Sequence, residues 1–235
     1  MKKKKKICLL IPVLNEITGL KKNFKKIKKR RFDRILFVDG GSTDGTIEFL
    51  KKNKLDFITQ KRPGLAYAVY DAIKFHVKED YILEYSPDGN CKENYLEILV
   101  QKALLSEKDL IVASRYLKHA KSYDDNLITG FGNWMFSKLI SGLGTYNQTD
   151  TLNIFRIYKK KIILRKEFHK FIFGPVFEPL VSAYVNLKNL SYLEIPVSEP
   201  KRIGGQSKMS VIINGSCIAI MIIRLYLYKI RKLLW

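Results

Sequence analysis

The feature that most constrains the fold of this chain is a regular alternation between short apolar runs and longer segments with helical periodicity. Strand-length apolar runs fall at residues 6–12, 34–39, 56–60, 81–86 and 109–114. Helical spacing marks the intervening residues 18–29, 44–52, 64–77 and 93–106. The clearest repeat recurs every four residues, at Leu65, Val69, Ile73 and Val77. This order predicts an α/β fold with a mostly parallel central sheet flanked by helices.

The second half of the chain is less regular. Residues 117–130 are rich in polar side chains, which predicts a mobile connection of the kind that often covers an active site. Beyond it the pattern predicts helices over 131–143 and 178–187, an extended segment at 153–158 and a strand over 191–197. At 235 residues the chain is long enough for one α/β domain and too short for two full-sized ones.

The C-terminal segment differs in composition from the rest. Residues 209–223 carry no charge, and the basic residues that follow alternate with apolar and aromatic ones. A helix that spans a bilayer needs roughly 20 mostly apolar residues, and the polar triplet Asn214, Gly215 and Ser216 interrupts this stretch. We therefore predict that residues 209–235 form an amphipathic helix in a membrane interface. Packing on the sheet or in a dimer interface is the alternative.

Charge and cysteine content limit the class of partner and the compartment. The 43 Lys and Arg residues against 22 Asp and Glu give a formal net charge of +21, which favours a polyanionic partner such as nucleic acid, acidic lipid or a phosphorylated substrate. Cys8, Cys91 and Cys217 form no Cys-x-x-Cys pair, which argues against a zinc site or a disulfide framework and fits a reducing compartment.

Three acidic residues follow predicted strands at the same edge of the sheet. Glu16 follows the first strand, Asp39 ends the second and Asp88 follows the strand at 81–86. Ligands of open α/β sheets bind beyond the carboxyl ends of the strands, and clustered acids are costly unless they bind a cation or a hydrogen-bond donor. A site at this edge is therefore expected, although Ser42 and Asp44 can also serve as turn and cap residues.

Two segments resemble the opening motifs of glycosyltransferase family 2, whose catalytic domain has the GT-A fold. These segments are Pro-Val-Leu-Asn-Glu at 12–16 and Val-Asp-Gly-Gly-Ser-Thr-Asp-Gly-Thr at 38–46. Later segments resemble the polyprenyl-phosphate sugar synthases, the dolichyl-phosphate mannose synthase group. They are Ala-Ser-Arg-Tyr at 113–116, Asp-Thr at 150–151, Phe-Arg at 155–156, Phe-Glu at 177–178, Glu-Ile-Pro-Val at 194–197 and Arg-Ile-Gly-Gly-Gln-Ser-Lys at 202–208. The resemblance spans residues 5–210.

The resemblance implies a donor site and a metal site. A nucleoside diphosphate sugar would be held by Pro12, Asn15, Glu16, Asp39, Ser42, Asp44 and Lys208. Mg²⁺ or Mn²⁺ would be bound by Asp88 and Asn90, with Ser86 in the place of the first acid of the family's Asp-x-Asp motif. Arg202 and Lys208 would close over the diphosphate, unless they belong to a solvated basic loop.

The resemblance also implies an acceptor site. Arg115 and Ser137 would hold the phosphate of a polyprenyl acceptor, but Asn133 stands where the family has an Arg. An ionised phosphate needs little help from a base, whereas a hydroxyl acceptor needs a positioned carboxylate. Glu178 is a candidate for that base, or for a structural hydrogen bond. The aromatic residues Phe131, Trp134 and Phe136 would line a lipid entrance or belong to the core.

We accordingly predict a glycosyltransferase with a catalytic domain at residues 1–208 that moves a sugar, with inversion, from GDP-mannose or a UDP-hexose to a polyprenyl phosphate. We expect it to lie on the cytoplasmic face of the membrane without a nucleic-acid partner, and a homo-oligomer or membrane-protein partner stays open. Two alternatives remain. One is a family 2 transferase that extends a cell-surface glycan on a hydroxyl, and the other is a non-enzymatic basic module that binds polyanions or lipids.

Overall fold

A computed structural model describes residues 4–27, 29–89, 92–201 and 210–233. Its strands are β1 (Ile7–Val13), β2 (Arg34–Asp39), β3 (Phe57–Thr59), β4 (Tyr81–Glu84), β5 (Leu110–Ser114), β6 (Arg156–Lys159) and β7 (Tyr192–Pro196). Its α-helices are α1 (Ile17–Asn23), α2 (Thr46–Lys52), α3 (Leu65–Asp71), α4 (Asn94–Ser106), α5 (Leu127–Ser141), α6 (Lys160–Ile163), α7 (Phe177–Leu187) and α8 (Val211–Leu233). Short 3₁₀ turns lie at Phe24–Lys26, Lys29–Arg31 and Phe168–Phe171, and a π turn at Ala72–His76 extends α3.

The seven strands form one sheet in the order β3-β2-β1-β4-β6-β5-β7. Strand β6 runs antiparallel to β4 and β5, and the other neighbouring strands are parallel. Alternate residues of β1 enter the apolar clusters on the two faces, with Cys8 and Leu10 on one face and Leu9 and Ile11 on the other. The predicted mostly parallel, helix-flanked sheet is confirmed.

Helix α5 begins four residues before the predicted start at residue 131. The Asn126 side chain accepts hydrogen bonds from the amides of Ile128 (2.9 Å) and Thr129 (3.0 Å), and the Thr129 hydroxyl accepts from the Asn126 amide. This capping box satisfies amides that would otherwise lack partners. The preceding segment is also tied down, because the Tyr123 amide donates to the Glu199 carbonyl at 3.0 Å. The segment predicted as a mobile connection over 117–130 therefore ends in the first turn of α5, and hydrogen bonds join the part before α5 to the segment after β7.

Helix α8 covers Val211–Leu233, so the helix predicted within residues 209–235 is present and includes the polar triplet Asn214, Gly215 and Ser216. One face packs on α5 and α7 and buries Ile218, Met221, Ile222 and Leu225. These side chains belong to the apolar cluster on one face of the sheet, so α8 is part of the domain's core. By length and composition alone, α8 is also apolar enough to cross a membrane.

Candidate active site

The loops that follow β1 and β2 are joined by hydrogen bonds at the carboxyl edge of the sheet. The Asn15 amide donates to the Ser42 hydroxyl at 2.8 Å, and the Asn15 side-chain oxygen accepts from the Thr43 amide at 2.7 Å. The Glu16 amide donates to the Thr46 hydroxyl at 3.0 Å. Asn15 has a φ of +53°, a left-handed conformation that Asn tolerates better than most residues. The predicted donor residues of the two motifs therefore lie together.

Asp39 is fully buried at the end of β2. Its carboxylate accepts from the amides of Gly41 (2.8 Å) and Ser42 (3.2 Å) and so closes the turn after the strand. Gly41 has a φ of +96°, which strongly favours glycine. Pro12, half-buried, lies opposite Val38 in the neighbouring strand pair. Asp39 thus shapes the loop on which the predicted nucleotide contact depends.

Asp44 connects the same two loops. Its carboxylate accepts from the Ile17 amide at 3.1 Å, the Thr46 amide at 3.0 Å and the Thr46 hydroxyl at 2.6 Å. Burial alone would raise the pKa of Asp44, but these hydrogen bonds outweigh it and lower the pKa below its usual value. Asp44 is therefore ionised at neutral pH and holds the starts of α1 and α2 together.

The loop carrying Asp88 follows β4 and packs against α1. The Asn23 side chain donates to the Pro87 carbonyl at 2.9 Å, and a Cβ on Gly19 would lie only 2.5 Å from the same oxygen. Asp88 is buried and Ser86 is half-buried. The loop therefore carries a carboxylate and a hydroxyl, both of which are hard oxygen donors. Asn90 lies outside the described residues. Within them, no group of three or more His, Cys, Asp or Glu side chains is arranged to hold a metal ion.

Arg115, predicted to hold the acceptor phosphate, is surrounded by carboxylates. Its Nε and Nη2 donate to the two oxygens of Asp150 at 2.7 and 3.0 Å. Its Nη1 lies 3.1 Å from Glu199 and 3.4 Å from Asp125. Burial alone would lower the pKa of Arg115, but the Asp150 and Glu199 carboxylates raise it well above its usual value. The guanidinium is thus fixed, charged and already paired.

Ser137, the second predicted phosphate ligand, is buried. Its hydroxyl lies 3.0 Å from the Thr151 hydroxyl and accepts from the Thr151 amide at 3.1 Å. Asn133 is also buried, and its side chain donates to the Thr149 carbonyl at 3.5 Å. Glu194 accepts from the Thr149 amide at 2.8 Å. These residues hold the segment containing Asp150, so Ser137 and Asn133 support the site in this conformation.

Glu178 lies in the first turn of α7, next to the buried Arg156. The five N–H groups of Arg156 donate to the Ser182 hydroxyl and to backbone carbonyls, including that of Glu178 at 2.5 Å. Glu84 lies opposite Arg156 in the β4–β6 pair and accepts from the Tyr158 hydroxyl. Burial raises the pKa of Glu178 despite the nearby guanidinium. The raised pKa favours the protonated form of this buried carboxyl.

A cavity of about 690 Å³ opens between the segment after β5 and the start of α5. Its lining combines polar and apolar residues and consists of Tyr116, Ser122, Asp125, Asn126, Leu127, Gly130 and Phe131. Asp125 also contacts Arg115 and accepts from the Tyr116 hydroxyl. Phe131 and Trp134 are more than half exposed, and their ring centroids lie 5.6 Å apart. The expectation that they lie at an entrance suits this geometry better than a place in the core.

Some site residues were missed or cannot be placed. Sequence reasoning gave no role to Asp125, Asp150 or Glu199, and only Asp150, quoted within the Asp-Thr motif, carried a signal. Arg202 and Lys208, predicted to close over the diphosphate, lie outside the described residues.

Comparisons with known proteins address the family and the fold. A relative from Methanococcus voltae, UDP-N-acetylglucosamine–dolichyl-phosphate N-acetylglucosaminyltransferase, is 24% identical over 216 residues, which cover 82% of this chain and 85% of that protein. Glycosyltransferase AglJ of Haloferax volcanii is 31% identical over 83 residues, which cover 35% of this chain and 27% of AglJ. A crystal structure of glucosyl-3-phosphoglycerate synthase from Mycobacterium tuberculosis, with Mn²⁺, UDP and glucosyl-3-phosphoglycerate, superposes with a TM-score of 0.65 at 15% identity, covering 96% of this chain and 80% of that one.

The structural likeness confirms the GT-A-like fold, and the family model provides the assignment. The model described as glycosyl transferase family 2 matches residues 8–170, which is more than half of the chain. This match sets aside the non-enzymatic alternative. The chain therefore belongs to glycosyl transferase family 2 and is a glycosyltransferase.

Proposed function

We propose that this glycosyltransferase moves a hexose from a nucleoside diphosphate sugar, GDP-mannose or a UDP-hexose, to a polyprenyl phosphate. The observation that carries the proposal is the pairing of two sites at one sheet edge. The hydrogen-bonded loops after β1 and β2 form the donor side. The cavity lined by Tyr116 and Asp125, both of which contact Arg115, forms the acceptor side. The transferase of M. voltae, named for a dolichyl phosphate acceptor, supports the same acceptor class, as does the resemblance to the dolichyl-phosphate mannose synthase group.

The chemistry fits a single displacement. An oxygen of the acceptor phosphate bonds to the anomeric carbon of the sugar while the bond between that carbon and the diphosphate breaks, so the configuration inverts. The acceptor phosphate is already ionised near neutral pH, so no proton needs to be removed. Asp39, Asn15, Glu16, Ser42 and Asp44 would shape or contact the nucleotide side. Pro12 would complete this side, and Arg202 and Lys208 would approach the diphosphate.

A divalent cation, Mg²⁺ or Mn²⁺, fits the oxygen donors of the Asp88 loop. Asp88 and Asn90 would hold it, and the donor diphosphate would supply further oxygens, because one carboxylate and one amide make a weak site. When bound, such an ion offsets the negative charge that develops on the leaving diphosphate. The Mn²⁺ and UDP bound to the mycobacterial synthase support this assignment.

The acceptor side suits a peripheral position on the cytoplasmic face of the membrane. The exposed face of α8 carries Ile212, Ile213, Ile220, Ile223 and Leu227, while its opposite face is docked on the domain. The start of α5 adds exposed apolar side chains at the rim of the cavity, Leu127, Ile128, Phe131 and Trp134. Apolar residues with basic neighbours such as Arg224 and Lys229 favour an interface over anionic lipid. A homo-oligomer or membrane-protein partner is compatible with this arrangement.

A second candidate is transfer to a sugar hydroxyl of a cell-surface glycan, and Glu178 favours it. In that reaction the acceptor hydroxyl loses its proton to Glu178 as its oxygen bonds to the sugar. Burial raises the pKa of Glu178, which makes its carboxylate a stronger base. Glu178→Gln should abolish transfer to a hydroxyl and leave most of the transfer to a phosphate.

The test is transfer of radiolabelled sugar from a panel of GDP- and UDP-sugars into membrane lipid, with and without Mn²⁺ or Mg²⁺. We expect label in an acid-labile lipid, with transfer lowered about 100-fold or more in Asp88→Ala because the leaving charge loses its stabilisation. Asp124→Ala, which changes an exposed acid, is the matched control. Turnover of nucleotide sugar without labelled lipid would contradict the phosphate acceptor and favour the hydroxyl acceptor.

A further inference from the structure

The Arg115 side chain presents two edges with different partners. The Nε and Nη2 edge is held by both oxygens of Asp150, which is fully buried, and the Arg115 amide also donates to Asp150 at 3.0 Å. A two-pronged contact of this kind fixes the plane of the guanidinium. Asp150 therefore positions Arg115, and only the Nη1 edge is left to meet a ligand.

Two further acids occupy that remaining edge. Asp125 lies 3.4 Å and Glu199 3.1 Å from Nη1. Among the described residues, three carboxyl groups therefore contact the single guanidinium of Arg115. A phosphate that enters with its own negative charge is repelled by Asp125 and Glu199 before it can reach Nη1.

The two acids belong to different segments that meet at this point. Asp125 comes one residue before the cap of α5 and lines the 690 Å³ cavity. Glu199 follows β7 and is joined to the segment before α5 by the Glu199 amide, which donates to the Lys121 carbonyl at 2.9 Å. The Ser122 hydroxyl donates to the Glu199 carboxylate. A shift of both segments would uncover the Nη1 edge, and Asp150, which precedes β6, belongs to neither of them.

We propose that Asp125 and Glu199 form a carboxylate gate that competes with the acceptor phosphate for the Nη1 edge of Arg115 and so sets the selectivity for the acceptor. The inference rests on the proposed phosphate acceptor and adds two specificity-determining residues to it. The gate lowers the affinity for phosphates that bind only through their charge. An acceptor whose apolar chain also contacts the rim at Leu127 and Phe131 gains extra binding energy with which to displace the acids.

The experiment measures binding, so that it does not depend on transfer. Farnesyl phosphate in detergent is titrated calorimetrically into the full chain and into Asp125→Asn, Glu199→Gln and the control Asp124→Asn. Asp124 is exposed and is not among the described partners of Arg115. We expect Asp125→Asn to bind about two- to fivefold more tightly, as for loss of a partly exposed charge contact. Glu199→Gln should tighten binding at least as much, and the control should be unchanged.

Inorganic phosphate serves as the second probe. It lacks the apolar chain but would meet the same two acids, so its affinity should rise by a similar factor when an acid is removed. Unchanged or weaker farnesyl phosphate binding by Asp125→Asn would overturn the gate, because Asp125 would then be neutral toward the acceptor or help to hold it. If Glu199→Gln unfolds, Asp125→Asn alone tests the gate. Asp125→Asn should fold, because the Tyr116 hydroxyl can still donate to the new amide oxygen.

The two proposals fail differently. Tighter phosphate binding in the acid variants without any lipid product from the unmodified chain would retain the gate and contradict the proposed reaction. A lipid product from the unmodified chain, with no gain in binding by the variants, would retain the reaction and overturn the gate.

Discussion

The proposed donor and acceptor sides of the site are built from different interactions. On the donor side, the side chains of Asn15, Asp39 and Asp44 accept hydrogen bonds from backbone amides of neighbouring loops. On the acceptor side, Arg115 is held by charged side chains from three separate segments. Amide hydrogen bonds define a loop shape locally, whereas a charge cluster depends on where distant segments meet. The donor side should therefore tolerate the loss of one contact better than the acceptor side.

The largest expected effect on stability is for Asp150→Asn. It replaces one of the two buried oxygens that accept from Arg115 by an NH₂ group that cannot accept, and should lower the free energy of unfolding by about 3 kcal/mol, because a buried charge-assisted hydrogen bond is lost and its donor is left without that acceptor. Urea unfolding measures the change. Asp71→Asn breaks the exposed pair of Arg62 and Asp71 and is the matched control, with an expected loss of about 0.5 kcal/mol. Equal losses of unfolding free energy in the two variants would contradict the expected difference between a buried and an exposed ion pair.

A smaller effect is expected for Asn15→Ala on the donor side. Ala loses the hydrogen bond from the Thr43 amide and fits the φ of +53° less well. The KM for the nucleotide sugar should rise about fivefold, while the KM for the acceptor stays constant. Steady-state kinetics with each substrate varied provides the measurement, with Asn53→Ala at the end of α2 as the control. A matching rise in the acceptor KM would mean that the two sides are coupled.

The smallest effect concerns the docking of α8 through Glu167, which pairs with Lys188 and Lys232. Hydrogen bonds from Lys188 and Tyr228 lower the pKa of Glu167 from 4.5 to about 2. A lowered pKa means that the folded state favours the ionised form. The stabilisation is therefore present above pH 4.5 and is lost as the pH falls through 2.

Glu167→Gln should remove that acid-sensitive part of the stability, to a modest extent because the pair is partly exposed to solvent. Thermal unfolding of the two proteins between pH 2 and pH 6 measures it. The two melting temperatures should converge at the acid end of the range. A constant difference across the range would show that Glu167 does not act through its charge.

The sequence by itself determined the elements of the sheet and the residues of the donor side. Apolar runs of strand length recur at fixed intervals, and β2, predicted over 34–39, was found at Arg34–Asp39. The donor motifs could also be recognised in the sequence, because each lies directly after a strand. Their contacts involve short-range turns and one neighbouring loop. The periodicity of apolar residues and the residue types that favour turns are local properties, so both can be read from a single sequence.

Only the tertiary structure decided how the acceptor side is arranged. The partners of Arg115 are 10, 35 and 84 residues away in sequence, at Asp125, Asp150 and Glu199. No local pattern predicts which distant carboxylates meet one guanidinium, because the crossing of β6 between β4 and β5 brings them together. The sequence did not predict which face of α8 is docked for the same reason, because an apolar helix can lie in a membrane or pack in a protein core. In the structure, one face of α8 packs against α5 and α7 in the core, and the other face is exposed.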